Sequence, residues 1–102
     1  MKLKITHTQL ECLCRLMNLT LGMFKPADNV DKLLAVHMTS LHKRLVKRFV
    51  DQRSQYTVDL PDESAIAFFE FWQNVNIADD YGRNIVQRIM DDIDRNNLVI
   101  TA

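Results

Sequence analysis

Four basic side chains near the middle of the chain carry the clearest chemistry in this sequence. They are spaced i, i+1, i+4 and i+5, which places them on one exposed face of a helix: Lys43, Arg44, Lys47 and Arg48. Like charges at this spacing repel, and the phosphates of a nucleic acid would neutralise them with an affinity that falls as salt rises. An acidic surface within the fold, or on a protein partner, would also neutralise them. The run therefore predicts a contact with nucleic acid or with an acidic protein surface.

Two groups of potential metal ligands do not match a metal site. The first combines two cysteines with two histidines: Cys12, Cys14, His37 and His42. A structural zinc site needs two to four residues between its cysteines, and side chains two positions apart on a helix diverge by about 200°. The second group is acidic, Asp91, Asp92 and Asp94 with Asp79 or Asp80, but Arg88 and Arg95 stand at ion-pair spacing to it. We therefore expect no metal and no other cofactor.

The aromatic cluster of the second half is the most apolar feature of the sequence. Between Ala65 and Trp72 only Glu70 is polar, so a helix here would be apolar around nearly its whole circumference. Such a helix must be buried on more than one side. Either the rest of the chain or a second copy of the protein could cover it, and aromatic residues are typical of interface cores. The pattern predicts a homodimer contact formed by Phe68, Phe69, Phe71 and Trp72.

The net charge of zero hides an uneven distribution. Residues 1–55 carry ten basic and four acidic side chains, whereas residues 56–102 carry three basic and nine acidic ones. The halves therefore have formal charges of +6 and −6. A separation of this kind is typical of partner-facing surfaces or of complementary packing within a fold.

Length and composition predict one globular domain in the cytoplasm. The chain has 102 residues, of which 47 % are apolar, with two glycines and two prolines. No apolar run reaches the roughly 18 to 20 residues that span a bilayer, and no apolar run follows the positively charged start Met1–Lys4. Cys12 and Cys14 point about 200° apart on a helix and cannot easily bridge each other, so we expect both to stay reduced.

The first half reads as one short extended segment followed by two helices. Leu3 and Ile5 alternate with polar residues, and the following Thr8–Glu11 matches a capping box at the start of a helix. Gly22 and Pro26 punctuate its end. The second helix should begin near Asp28 or Asn29 and continue for roughly 25 residues, because its apolar pattern ends around residues 51–55.

The second half repeats this order. Tyr56–Leu60 alternates, and Pro61 suits the first turn of a third helix that runs from Ala65 to about Asn74. A turn at Asn76–Asp80 leads to a fourth helix, which we expect to end at Asn96 and Asn97. A third short extended stretch follows at Leu98–Thr101.

These elements predict an all-α fold in a single domain, residues 1–102. We expect a four-helix bundle of two antiparallel helical hairpins, with the short extended segments pairing at one end. A shift of 55 positions superimposes the patterns of residues 1–55 and 56–102, which indicates a pseudo-repeat of architecture without residue identity.

The functional expectation is a small non-catalytic protein-interaction module, self-associating through the aromatic helix as a homodimer. The alternative is an accessory nucleic-acid-binding protein that grips phosphates with the basic helix face, without sequence preference. An enzyme is not expected, because the sequence has neither a glycine-rich phosphate loop nor a nucleophile elbow. No membrane contact and no small-molecule substrate are expected either.

Overall fold

The computed structural model describes residues 1–100 and is mostly helical, with one small antiparallel sheet. The predicted helical class and the four predicted helices are confirmed. In chain order the elements are β1 (Lys2–Thr6), α1 (His7–Met23), α2 (Asn29–Val50), β2 (Gln55–Asp59), α3 (Asp62–Gln73) and α4 (Asp80–Arg95). None of the helices in the described part of the chain is long and apolar enough to cross a membrane.

Two of the three predicted extended segments pair with each other. β1 and β2 are antiparallel, with Leu3 opposite Val58 and Ile5 opposite Tyr56. These four side chains are buried, while their sequence neighbours are exposed, as expected for a sheet with one face on the core. The third segment is a correction: residues 98–100 form no strand, and Thr101 lies outside the described residues. The amide of Leu98 instead donates to the carbonyl of Ile93 at the end of α4.

Side-chain caps set the start of three helices. Asp28 caps α2 and Asp79 caps α4, in agreement with the predicted starts. The cap of α1 differs from the prediction, because the capping box is formed by Thr6 and Gln9 rather than by Thr8 and Glu11. The amide of Gln9 donates to Thr6 Oγ1 at 3.2 Å, and the Thr6 amide donates to Gln9 Oε1 at 3.1 Å. The helix therefore begins immediately after β1.

The four helices and the inner face of the sheet enclose one apolar core. α1 packs against α2 and α4, and α3 packs against the same two helices. Gly82 allows α1 and α4 to approach, because a Cβ atom at this position would lie 3.2 Å from Leu16 Cδ2. The largest fully buried side chains come from both strands and all four helices, and include Ile5, Leu10, Met38, Tyr56, Phe68 and Ile89.

The aromatic cluster of α3 lies inside this core. Phe68, Phe69, Phe71 and Trp72 are all at most 8 % exposed in the single chain. Phe24, from the connection between α1 and α2, packs on Phe71 with ring centroids 5.0 Å apart. The apolar faces of α3 are therefore buried by other parts of the same chain. In the single chain these side chains therefore expose almost no surface, and the homodimer contact expected from the sequence stays a prediction.

Candidate functional site: a basic strip across the sheet

The outer face of the two-stranded sheet is polar and open to solvent. Every second residue of each strand points outward, and these side chains are Lys2, Lys4, Thr6, Gln55, Thr57 and Asp59. Lys2 lies opposite Asp59 and Lys4 lies opposite Thr57. This face has lysine, hydroxyl, amide and carboxylate groups but no apolar side chain. It is therefore suited to charged or hydrogen-bonding partners.

Two arginines of α2 cover the free edge of β2. The Leu60 amide donates to the Met1 carbonyl, and the Ser54 carbonyl accepts from the His7 amide. Backbone groups alternate in direction along a strand, so the carbonyls of Thr57 and Asp59 point away from β1. Arg44 Nη2 donates to the carbonyl of Asp59 at 2.7 Å, and Arg48 Nη2 donates to that of Thr57 at 3.2 Å. The spacings match, since four helical residues rise about 6 Å and two strand residues about 6.8 Å.

An arginine of α4 covers the opposite edge of the sheet. Arg88 Nη2 donates to the carbonyl of Lys4 at 2.8 Å, and Nη1 donates to Gln9 Oε1 at 3.4 Å. Guanidinium groups therefore cover both edges of the sheet. Each has five N–H donors, so it retains donors that are not used on the carbonyls. Covering an edge in this way also blocks the addition of another strand.

We call the resulting surface the basic strip: the outer sheet face together with the cations at its two edges. It carries six basic side chains and one acidic one, Asp59: the cations are Lys2, Lys4, Arg44, Lys47, Arg48 and Arg88. Lys47 belongs to it because it lines the same groove as Arg44, Arg48 and Thr57.

The structure brings together three of the four cations predicted from the sequence. Lys43 is the exception, since it lines a separate surface of α2 with Lys32, Val36 and Thr39. The reason is the helical turn of about 100° per residue, which spreads Lys43 and Arg48 by about 140° around the axis. Sequence reasoning missed Lys2, Lys4 and Arg88. The alternation in β1 was a signal for the two lysines, whereas nothing local to Arg88 pointed to the sheet.

Within residues 1–100, arginines outside the basic strip form ion pairs with acids on their own helices. Arg15 pairs with Glu11 at 2.6 Å, Arg83 pairs with Asp80, and Arg95 pairs with Asp92. Each pair joins neighbours one turn apart on the same helix, and all three arginines lie outside the basic strip. Exposed pairs of this kind contribute little stability, about 0–1 kcal/mol each. They do neutralise part of the acidic second half locally.

The four residues considered for zinc do not converge. His42 Nε2 donates to the backbone carbonyl of Cys14 at 3.1 Å, and Cys12 Sγ lies 4.0 Å from Asp79 Oδ2. Burial raises the pKa of Cys14 to about 11, and burial together with the Asp79 carboxylate raises the pKa of Cys12. Both thiols therefore stay protonated at neutral pH, the form that neither binds metal nor attacks electrophiles. Among residues 1–100, no cluster of three metal-ligating side chains is found.

His7 has a structural role at the end of the sheet. Its Nδ1 atom lies 3.0 Å from the Tyr56 hydroxyl, and its ring stacks on Phe49 with centroids 4.6 Å apart. The same hydroxyl accepts the Arg53 amide at 3.2 Å. These contacts fasten the start of β2 to α1 and to the end of α2.

A second surface of interest is an apolar groove beside the end of α1. It has a volume of about 530 Å³ and runs between Leu16, Leu19, Met23 and Phe24 on one side and residues 74–79 on the other. Leu19 is 62 % exposed and Met23 is 72 % exposed. Exposed apolar side chains gathered in a groove are typical of protein-binding surfaces.

Comparison with known proteins gives no match for this chain, whether to protein-family models, to characterised proteins or to solved structures. The functional conclusion therefore rests on the physical chemistry of the two surfaces described above.

Proposed function

We propose that this protein is a non-catalytic binding module whose basic strip binds a polyanionic macromolecule. The observation that carries the proposal is the concentration of six cations around a single carboxylate, on a surface built from both strands, α2 and α4. Cations gathered on one side of a protein with zero net charge give a directional field, which steers an anionic partner to that side.

The arrangement of the strip favours binding over chemistry. Lysine, arginine, threonine and glutamine side chains donate hydrogen bonds to anions, and these four types make up nine of the ten side chains of the strip. Three of its cations, Arg44, Arg48 and Arg88, are held in place by backbone carbonyls. Fixing these long side chains before binding reduces the entropy that association must cost.

Retention on immobilised heparin tests the proposal, since heparin is a polyanion that lacks bases and peptide. The strip variant Lys2→Gln/Lys4→Gln/Lys47→Gln changes the lysines of the strip and leaves its three edge arginines in place. The control variant Lys25→Gln/Lys32→Gln/Lys43→Gln removes the same charge elsewhere. We expect the control to elute with the wild type and the strip variant to elute at clearly lower salt. Circular dichroism checks that both variants are folded.

Two results would contradict the proposal. Equal shifts for both triple variants would mean that net charge alone governs retention. Failure of the wild type to bind at about 50 mM salt, where electrostatic attraction is strong, would mean that the strip does not attract polyanions at all.

A second candidate function is protein–protein interaction, including the homodimer expected from the sequence. The apolar groove supports it, because Leu19 and Met23 are exposed at the groove while the aromatic residues of α3 are not. Light scattering of the wild type and of Leu19→Lys/Met23→Lys tests self-association. A dimer that this double variant dissociates supports the candidate, and a wild type that stays monomeric at roughly 100 μM removes the homodimer.

Two further expectations from the sequence, the pairing of the helices into hairpins and the cytoplasmic compartment, also stand as proposals. We propose that α1–α2 and α3–α4 are two antiparallel hairpins, which is supported by the packing of each helix on the next one and by the short connections between them. We propose the cytoplasm as its compartment, supported by the two free cysteines, Cys12 and Cys14.

A further inference from the structure

We infer that the polyanion is double-stranded DNA and that β1 and β2 enter its major groove as a two-stranded ribbon. This inference rests on the proposed function and adds the partner and the binding geometry. The major groove of B-DNA, about 12 Å wide, admits a two-stranded antiparallel ribbon. The strands lie about 5 Å apart, so the backbone of the ribbon is narrower than the groove and leaves room for the polar side chains of its outer face.

The positions of the arginines fit this geometry. Arg44 and Arg48 stand at the β2 edge, and Arg88 stands at the β1 edge. A ribbon lying in the major groove has a phosphate backbone along each of its two sides. The edge arginines therefore face the phosphates on both sides, while the outer face of the sheet meets the base edges. Phosphate contacts fix the position of the protein, and contacts to base edges can add preference for sequence.

The outward side chains are of types that hydrogen-bond to base edges. Lysine donates to guanine, glutamine bonds to adenine, and threonine contacts several bases, which matches Lys4, Gln55 and Thr57. Asp59 can accept from the amino group of cytosine. Along each strand three outward residues span about 14 Å, the length of roughly four base pairs.

The composition of the strip favours DNA over an acidic protein. Protein interfaces usually have an apolar core rich in aromatic residues, whereas interfaces with DNA are more polar and more positively charged. The outer sheet face has no apolar side chain, and the nearest aromatic residue in the sheet, Tyr56, is buried beneath it. The same absence of exposed rings from the strip argues against single strands, which bind by stacking bases on aromatic side chains.

Fluorescence anisotropy with matched duplexes tests the inference. The probes are labelled DNA and RNA duplexes of roughly 20 base pairs with the same sequence, at about 50 and 200 mM salt. Their charges are equal, but the major groove of A-form RNA is too deep and narrow for side chains to read. We expect the protein to bind the DNA duplex at least roughly tenfold more tightly than the RNA duplex. The affinity for DNA should fall steeply as the salt concentration rises.

An uncharged variant separates groove insertion from simple attraction. Gln55→Ala/Thr57→Ala leaves every cation in place, so we expect it to weaken DNA binding roughly tenfold while it shifts heparin elution far less than the triple lysine variant of the strip does. Gln73→Ala/Thr39→Ala, two exposed positions of the same types outside the strip, is the matched control and should leave both properties unchanged.

The outcomes distinguish the two levels of the proposal. Equal affinity for DNA and RNA, or undiminished DNA binding by Gln55→Ala/Thr57→Ala, would overturn ribbon insertion while polyanion binding stands. Retention on heparin without affinity for either duplex would replace DNA by another polyanion. If heparin does not retain the wild type, the proposed function itself is overturned.

Discussion

At the scale of single residues, the start of α1 shows how one contact decides between two equally good sequence signals. Thr6–Gln9 and Thr8–Glu11 both match the capping-box pattern. The structure uses the first, because the strand ladder ends at His7, whose amide donates to the Ser54 carbonyl at 3.0 Å. The sequence contains both signals but not the partner strand, 47 residues away, that selects one of them.

This choice predicts different costs for two similar substitutions. Thr6→Ala removes the side-chain cap and should lower the free energy of unfolding by about 1 kcal/mol. Thr8→Ala, at an exposed position that is the second residue of the helix, should change it by less than about 0.5 kcal/mol. Urea denaturation of both variants provides the comparison. A larger loss for Thr8→Ala would mean that the helix begins later than the structure shows.

Cys14 gives a prediction that depends on pH. Its folded pKa of about 11 lies above the ordinary 9.0, so the protonated thiol stabilises the fold below pH 9 and this contribution is lost as pH rises through 11. At pH 8 the thiolate fraction is about 100-fold smaller than in an unfolded chain. Alkylation by iodoacetamide, followed by peptide mass spectrometry, should therefore be far slower in native protein than in urea. Equal rates in the two states would show that Cys14 is not protected.

At the scale of elements, α3 shows what an apolar pattern can and cannot establish. The run from Ala65 to Trp72 required cover on several sides, and this requirement is met. The pattern could not say whether the cover comes from the same chain, because that depends on contacts such as Phe24 against Phe71. The same holds for the edges of the sheet. Arg88 donates to the carbonyl of Lys4, which is 84 positions distant, so no local pattern could predict this contact.

A pair of substitutions on α3 tests its place in the core. Phe68 is 1 % exposed and Ile66, on the same helix, is 41 % exposed. Phe68→Ala should lower the free energy of unfolding by about 3–5 kcal/mol, whereas Ile66→Ala should cost less than about 1.5 kcal/mol. Both values can be measured by urea denaturation. A Phe68→Ala protein of nearly wild-type stability would contradict the placement of Phe68 in the core.

At the scale of the whole molecule, the uneven charge of the sequence acquires a location. β1 and α2 bring five of the ten basic side chains of the first half to the sheet, while Asp80 and Asp92 of α4 pair with arginines on their own helix. Composition showed that a charge separation exists. Only the strand register and the helix packing show that six cations, including Arg88 from the acidic half, share one surface.

The most direct test of the basic strip is a ¹⁵N–¹H correlation spectrum recorded while a short heparin oligosaccharide is titrated into labelled protein. We expect the largest shifts at the amides of β1 and β2, at Arg44–Arg48 and around Arg88, with little change in α3. Shifts centred on Leu19, Met23 and residues 74–79 would move the binding surface to the apolar groove. The absence of saturable shifts at low salt would contradict the binding of polyanions by the basic strip.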